Sequence, residues 1–192
     1  MNSLKLEHYY KVAPKTGLIE GGRFIPSPNF DARPKGDEPD LIVVHSISLP
    51  PNHFGGSAIT QLFTNKLDPA EDPYFAQIKD LKVSAHALIR RDGEVVQYVP
   101  FHQRAWHAGV SSFGGRDACN DFSIGIELEG TDTTGYTASQ YQSLARLIKG
   151  LWLAYPSLQD RNVVGHCDIA PGRKTDPGPY FMWDSLNRML ES

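Results

Sequence analysis

Two short apolar stretches of this chain each end in a histidine. Residues 41–45 read LIVVH, and residues 162–166 read NVVGH. Apolar runs of this length predict strands that are buried on both faces of a sheet. Because such strands can lie side by side, and α/β proteins place site residues beyond strand ends, His45 and His166 are expected at one edge of a sheet. Standing alone, His45 would be interpreted as a core histidine bonded to a backbone carbonyl.

Alternation of apolar and polar residues along the sequence predicts further strands. Residues 122–130, FSIGIELEG, alternate so that Glu127 and Glu129 share the face opposite the apolar side chains. Two glutamates beside a glycine predict a face that lines a cavity, with an exposed sheet face as the alternative. Residues 83–100 predict a β-hairpin around an Asp-Gly turn, with His86 as a structural histidine on its first strand.

Helical spacing of apolar residues predicts the remaining elements. Short helical segments are predicted at 57–65, with Ser57 as cap, at 76–81 and at 180–191. The longest helix begins at a capping box formed by Thr137 and Gln140, and Pro156 stops it. Its apolar stripe is predicted to pack in the core.

Composition predicts an ordinary globular protein with one domain. The 192 residues are 40% apolar and 21% charged, which is sufficient for a core without disulfides or metals. Residues 1–28 carry several prolines and glycines without a clear period. We therefore predict an N-terminal arm over residues 1–28, packed on a domain of residues 29–192.

Charge and hydropathy give no sign of a nucleic-acid or membrane partner. The formal net charge is −3, and no stretch approaches the roughly 18 apolar residues of a membrane span. Lys5, Glu7, His8 and Lys11 interrupt the N-terminal region, so no signal peptide is predicted and the expected location is the cytoplasm. The two cysteines would stay reduced there, whereas a secreted protein would be able to pair them.

A Gly/Pro-rich segment carries the most varied chemistry. Residues 165–179, GHCDIAPGRKTDPGP, predict a mostly irregular loop that holds His166, Lys174 and Asp176. With His45, this set offers two nitrogen ligands and one oxygen ligand, which suits a catalytic Zn²⁺ with a fourth position open. The alternative is a solvated polar loop with a helix-capping aspartate.

Other groups complete a possible hydrolytic site. Glu127 is a candidate general base for an attacking water, and Lys174 is a candidate for stabilising an oxyanion. Residues 104–121 are rich in small side chains around Trp106 and His107. This pair is expected either to line a ligand groove or to plug the end of the core.

Several of these stretches, in their order along the chain, resemble a known family. LIVVHSISLPP, VSAHALIRRDG, RAWHAGVSSF, NDFSIGIELEGTD, GHCDIAP and RKTDPG are similar to the zinc-dependent N-acetylmuramoyl-L-alanine amidases of the type-2 family, and most similar to its cytoplasmic members that act on 1,6-anhydromuropeptides. The resemblance runs from about Pro26 to Trp183. It implies an α/β fold with a central mixed β-sheet flanked by helices, as in peptidoglycan recognition proteins.

The resemblance also implies roles for individual residues. It makes His45, His166 and Asp176 the ligands of one Zn²⁺ per chain, Glu127 the catalytic acid/base, and Lys174 the residue that stabilises the transition state.

Four further residues are implied to lie near the substrate: Trp106, His107, Tyr74 and Ser46. The chain departs from its relatives at Ser46, where they have asparagine, and at Lys82, where they often have arginine.

The implied reaction is hydrolysis of the amide between the lactoyl group of a muramic acid and L-alanine of the stem peptide. The expected partner is a soluble anhydromuropeptide, and the chain is expected to be a monomer. Two rival hypotheses are a non-catalytic module that binds peptidoglycan fragments and a zinc peptidase or amidase with another substrate. A regulatory role through a protein partner is a third.

Overall fold

A six-stranded mixed β-sheet forms the centre of the computed structural model, which describes residues 9–158 and 160–192. The strands in this part of the chain, several of only two residues, are β1 Val12–Ala13, β2 Leu18–Ile19, β3 Arg23–Phe24, β4 Phe30–Asp31, β5 Leu41–Ile47, β6 Ala87–Ile89, β7 Val95–Gln97, β8 Arg104–Ala105, β9 Ser112–Phe113, β10 Arg116–Asp117, β11 Ser123–Glu129 and β12 Val163–Gly165. The helices are α1 Ala58–Phe63, α2 Pro73–Ile78, α3 Ala138–Ala154, α4 His166–Ile169 and α5 Trp183–Glu191, with 3₁₀ turns at Cys119–Asp121 and Pro156–Leu158.

The strand order of the central sheet is β12-β5-β11-β6-β7-β3. Only β6 and β7 pair antiparallel, and every other neighbouring pair is parallel. The strand that contains His45, β5, and the strand that ends just before His166, β12, are therefore direct parallel neighbours. The expected α/β fold with a central mixed sheet is confirmed.

The main core lies between one face of this sheet and α3. Ile42 and Val44 of β5 share a buried cluster with Leu144 and Ile148 of α3, all of them without solvent exposure. The predicted capping box starts this helix, because Thr137 Oγ1 accepts from the Gln140 backbone N–H at 3.1 Å. Since side chains alternate along a strand, covering this face leaves residues 41, 43 and 45 of β5 on the other one.

The predicted β-hairpin is present. Residues Ala87 and Ile89 of β6 pair with Gln97 and Val95 of β7, around the Asp-Gly turn. His86 lies directly before β6 rather than on the strand, so the prediction was wrong by one residue. Its backbone N–H still bonds to Gly125 O of β11 at 3.0 Å, which holds the residue beside the sheet.

The described part of the N-terminal arm packs on the rest of the chain. Val12 and Ile19 belong to the main buried cluster, and the Tyr10 N–H donates to Arg146 O of α3 at 3.1 Å. Strand β3 adds a short sixth strand beside β7. Residues 1–8, which include Lys5, Glu7 and His8 of the signal-peptide prediction, lie outside the described residues.

One local prediction holds for most of its length and another was wrong. Residues 170–179 are irregular as expected, whereas residues 166–169 form the short helix α4, because the Asp168 carboxylate accepts the Gly165 N–H at 2.7 Å and closes a first turn. At α1, Ser57 makes no side-chain capping bond; its carbonyl instead accepts the Gln61 N–H at 2.8 Å.

Neither cysteine is in a disulfide. Among the described helices, none has the length and apolar character that a bilayer crossing requires.

Candidate metal centre

Strand register brings the candidate ligands together. His45 of β5 pairs with Glu127 of β11 in parallel register, so both side chains lie on the sheet face opposite α3. Gly165 at the end of β12 pairs with Val44, which places His166 beside His45. Asp176 returns to this point on the loop after α4, where its backbone carbonyl accepts the Cys167 N–H at 2.9 Å.

Three ligand atoms face one another in this place. The Nδ1 atoms of His45 and His166 are 3.0 Å apart, and Asp176 Oδ2 lies 3.1 Å from His166 Nδ1 and 3.3 Å from His45 Nδ1. Both histidines are almost fully buried, at 1% and 3% exposure. These three residues form the group in the described chain whose ligand atoms are placed to share one metal ion.

The surrounding bonds fit a metal better than a proton network. His166 Nε2 lies 3.1 Å from Ala108 O, which can only accept, so this nitrogen carries the hydrogen and a neutral ring leaves Nδ1 bare. Burial lowers the pKa of His45. Two nitrogen lone pairs beside a carboxylate suit Zn²⁺ with one position left open.

Glu127 is an unpartnered carboxylate beside this group. Its buried Oε2 atom has no hydrogen-bond partner. Burial, and then the negative charge of Asp176, raise the pKa of Glu127 well above its usual range, while Lys174 opposes that rise. A carboxyl that readily takes up a proton and faces a cleft is suited to general acid/base chemistry.

Glu129, two residues further on the same face, has a different position. It is 1% exposed, and its carboxylate accepts from the backbone N–H groups of Gly55 at 2.9 Å and Arg91 at 3.1 Å. The alternation of β11 placed both glutamates on one face, but only Glu127 faces the cleft. Glu129 anchors the loop that follows β5.

The cleft itself has a volume of about 560 Å³ and is lined by the predicted metal, catalytic and substrate residues: His45, Ser46, Tyr74, Trp106, His107, Glu127, His166, Lys174 and Asp176. Lys174 is exposed on its rim. The indole N–H of Trp106 donates to Asp31 Oδ1 at 3.2 Å, and Arg104 holds Asp31 through two bonds of 2.7 Å. This fixed indole faces an open space that also borders the metal group.

The other predicted substrate residues lie along the same wall. Tyr74 of α2 is half-buried beside the apolar side chains of Phe63 and Ile78, and Ser46 directly follows His45. His107 lines the cleft too, but both of its ring nitrogens lie within hydrogen-bonding distance of protein atoms, at 2.9 Å from His45 Nε2 and 3.2 Å from Ser123 Oγ.

Sequence reasoning missed the residues that support the Asp176 loop. The Tyr136 hydroxyl donates to Pro177 O at 2.7 Å, and Thr175 Oγ1 donates to Asp132 Oδ2 at 2.5 Å. These bonds fix the backbone on both sides of Asp176. Tyr136 lies in a polar loop before α3 and has no local pattern that would have identified it.

An open cleft on an α/β scaffold that brings together the imidazoles of His45 and His166, the carboxylates of Asp176 and Glu127, and a lysine is typical of metal-dependent hydrolases. The sequence profile of the N-acetylmuramoyl-L-alanine amidase family matches residues 35–179. The chain belongs to this family.

Individual relatives agree with that assignment. The 1,6-anhydro-N-acetylmuramyl-L-alanine amidase AmpD of Escherichia coli K12 is 61% identical over 167 residues, which cover 87% of this chain and 91% of the relative. A crystal structure of an AmpD derivative superposes with a TM-score of 0.88 at 58% identity, covering 91% of this chain and 97% of that one. The Escherichia coli amidase AmiD, solved with anhydro-N-acetylmuramic acid-L-Ala-D-γ-Glu-L-Lys, has a TM-score of 0.58 at 30% identity, covering 82% and 60% of the two chains.

Proposed function

We propose that this protein hydrolyses the amide bond between 1,6-anhydro-N-acetylmuramic acid and L-alanine of a stem peptide, with one Zn²⁺ bound by His45, His166 and Asp176. The observation that carries the proposal is the convergence of three ligand atoms, 3.0 to 3.3 Å apart, beside the unpartnered carboxylate of Glu127. The activity for which the AmpD relatives are named and the ligand of the AmiD structure support this substrate.

Each catalytic residue of the cleft has a separate role in the proposed reaction. When bound, zinc supplies Lewis acidity for the scissile carbonyl and the attacking water. Glu127 takes a proton from that water and delivers it to the leaving amine of L-alanine. Lys174, on the rim, stabilises the negative charge that develops on the carbonyl oxygen. The amide is thereby cleaved into a free carboxylate and a free peptide.

Three other residues of the cleft wall, Trp106, Tyr74 and Ser46, hold the substrate. Trp106 and Tyr74 offer aromatic surface on the wall of the cleft, and Ser46 and His107 lie next to the ligand His45. We propose that residues 29–192 form the catalytic domain and that residues 1–28 are an arm packed on it. The proposed setting is recycling of soluble peptidoglycan fragments in the cytoplasm by a monomer.

Mass spectrometry of reaction products tests this proposal. The zinc-loaded protein is incubated with 1,6-anhydro-N-acetylmuramyl-tripeptide and, separately, with intact peptidoglycan, each with and without a chelator. We expect chelator-sensitive release of free tripeptide from the soluble fragment. Glu127→Gln should abolish this release while leaving zinc stoichiometry and fragment binding intact.

Two results would contradict the proposal. If the zinc-loaded protein releases no peptide from either substrate but still binds the fragment, the chain is a non-catalytic binding module. If Glu127→Gln retains wild-type turnover, the general base is a different group.

A further inference from the structure

A continuous line of polar atoms leads from the candidate ligand His45 into the protein. His45 Nε2 lies 2.9 Å from His107 Nδ1, His107 Nε2 lies 3.2 Å from Ser123 Oγ, and Ser123 Oγ lies 2.5 Å from Cys119 O. All of these groups are buried or face the inside of the cleft. This line of hydrogen bonds ends on a backbone carbonyl. The carbonyl is the one group in the line that can only accept a hydrogen bond.

The carbonyl of Cys119 fixes the direction of every hydrogen bond in this line. Since Cys119 O can only accept, the Ser123 hydroxyl donates its hydrogen there and can only accept from His107 Nε2–H. A neutral imidazole carries one ring hydrogen, so His107, which donates from Nε2 to Ser123, accepts at Nδ1. His45 must then donate from Nε2, which leaves its Nδ1 bare and directed at His166 and Asp176.

The fold makes space for His107 and holds it in place. Gly125 of β11 lies against this imidazole, and any side chain at position 125 would collide with the ring. The amide oxygen of Asn120 accepts from the backbone N–H of His107 at 3.1 Å and of Ala108 at 2.8 Å. Backbone, ring orientation and both ring nitrogens of His107 are thus all fixed by neighbouring residues.

We infer that His107, oriented by Ser123, is a positioning residue that holds His45 in the tautomer that can bind metal. The inference rests on the proposed zinc site, and it explains why His107 lies at the site while neither of its nitrogens is free for substrate or metal. Partners that orient metal-binding histidines typically contribute about 10- to 100-fold in metal affinity.

Zinc affinity, measured by competition with a chromophoric chelator, tests the inference in four variants. His107→Ala removes the acceptor, and we expect zinc binding to weaken about 10- to 100-fold. His107→Asn keeps an oxygen near the position of Nδ1 and should restore most of the affinity. Ser123→Ala should weaken binding to a smaller extent. Its matched control is Ser143→Ala, which removes a buried hydroxyl that bonds to Gly93 O at 2.7 Å on the other side of the sheet.

A measurement on the metal-free protein separates this inference from the zinc proposal. Nitrogen-15 NMR of the histidine rings should show His45 protonated on Nε2 in the wild type and a mixture of tautomers in His107→Ala. Wild-type affinity in His107→Ala, or a hydrogen on Nδ1 of His45 in the wild type, would overturn the inference. Equal losses in His107→Asn and His107→Ala would also overturn it, because the acceptor would then be irrelevant. A wild type without zinc binding would instead refute the metal site, with the tautomer still open to measurement.

Discussion

Among single residues, His86 shows most clearly how burial sets protonation in this protein. It has no solvent exposure; its Nδ1 accepts the Gly125 N–H at 3.0 Å, and its Nε2 donates to Gln103 O at 3.0 Å. Burial, and then the positive charge of Arg33, lower the pKa of His86 to about 3. The imidazole is therefore neutral and structural, as its place beside the predicted hairpin suggested.

This residue should make the protein sensitive to acid. Its pKa is about 3 in the folded chain and near 6.5 when unfolded, so the unfolded state binds more protons within that window. The free energy of unfolding should therefore fall with decreasing pH, by up to about 1.4 kcal/mol per pH unit for each such histidine. His86→Asn, which keeps an acceptor for Gly125, should give a correspondingly shallower pH dependence in urea unfolding.

The exposed His53 provides the control for this experiment. His53→Asn should leave the pH dependence of the wild type unchanged. The free energy of unfolding is compared between wild type and His86→Asn as a function of pH. If the two curves run parallel between about pH 6.5 and pH 4, burial does not set the protonation of His86.

Lys174 should affect turnover more than substrate binding. Its proposed partner is a charge that exists only in the transition state, so Lys174→Met should lower kcat by about 10²- to 10³-fold with little change in KM. Lys174→Arg keeps the positive charge and should lose less. Steady-state kinetics with the anhydromuramyl tripeptide gives both constants, and an unchanged kcat in Lys174→Met would show that this lysine has no part in the chemistry.

The candidate ligands were accessible to sequence reasoning, whereas the residues that orient them were not. His45 and His166 each end an apolar run, and Asp176 lies in a conspicuous Gly/Pro-rich segment. The link between His107 and Ser123 spans 16 residues and depends on the missing side chain of Gly125. Such a link is a property of packing and leaves no periodic signal.

Helices and strands with a repeating pattern of apolar residues were predicted well from the sequence. Elements that depend on individual hydrogen bonds were not. The alternation of β11 and the apolar stripe of α3 both span several repeats, and both elements formed as expected. The four-residue helix α4 depends on one bond between Asp168 and Gly165, and the two-residue strands of residues 9–28 are shorter than any period. Elements of that length are set by single hydrogen bonds or by tertiary contacts.

The capping box of α3 offers a test at this scale. Thr137 Oγ1 accepts from the Gln140 N–H and donates to Arg91 O at 2.7 Å, so it joins the start of α3 to the β6–β7 turn. Thr137→Ala should lower the free energy of unfolding by about 1 to 2 kcal/mol. Urea denaturation measures this loss. The exposed Thr133 is the control, and a Thr137→Ala variant as stable as Thr133→Ala would show that the cap contributes nothing.

For the whole molecule, the candidate site ties together three parts of the chain that are distant in sequence. β5 supplies one ligand, β11 the candidate base, and the segment from His166 to Asp176 the remaining ligands. A metal ion bound here would link the edge strand β12 and its following loop to the centre of the sheet. Metal binding should therefore raise the free energy of unfolding of the whole protein.

Zinc should raise the melting temperature. Free zinc at about 100 times its dissociation constant would add about 2.7 kcal/mol, which corresponds to roughly 5 to 10 °C for a chain of this size. Calorimetry with zinc and with a chelator measures the shift. His45→Ala, which removes one ligand, should melt at the same temperature in both conditions, and a zinc effect that survives in this variant would place the metal elsewhere.

The pairing of β12 with β5 also determines when the candidate metal site can form during synthesis on the ribosome. His45 is synthesised 121 residues before His166, so a nascent chain that reaches only β11 contains one of the three candidate ligands. One edge of β5 stays unpaired until β12 is made, and an apolar unpaired strand edge is a template for wrong pairing. If a metal ion binds at the proposed site, all three candidate ligands are in place only after β12 has docked, and protection from wrong pairing during synthesis would be needed most at β5.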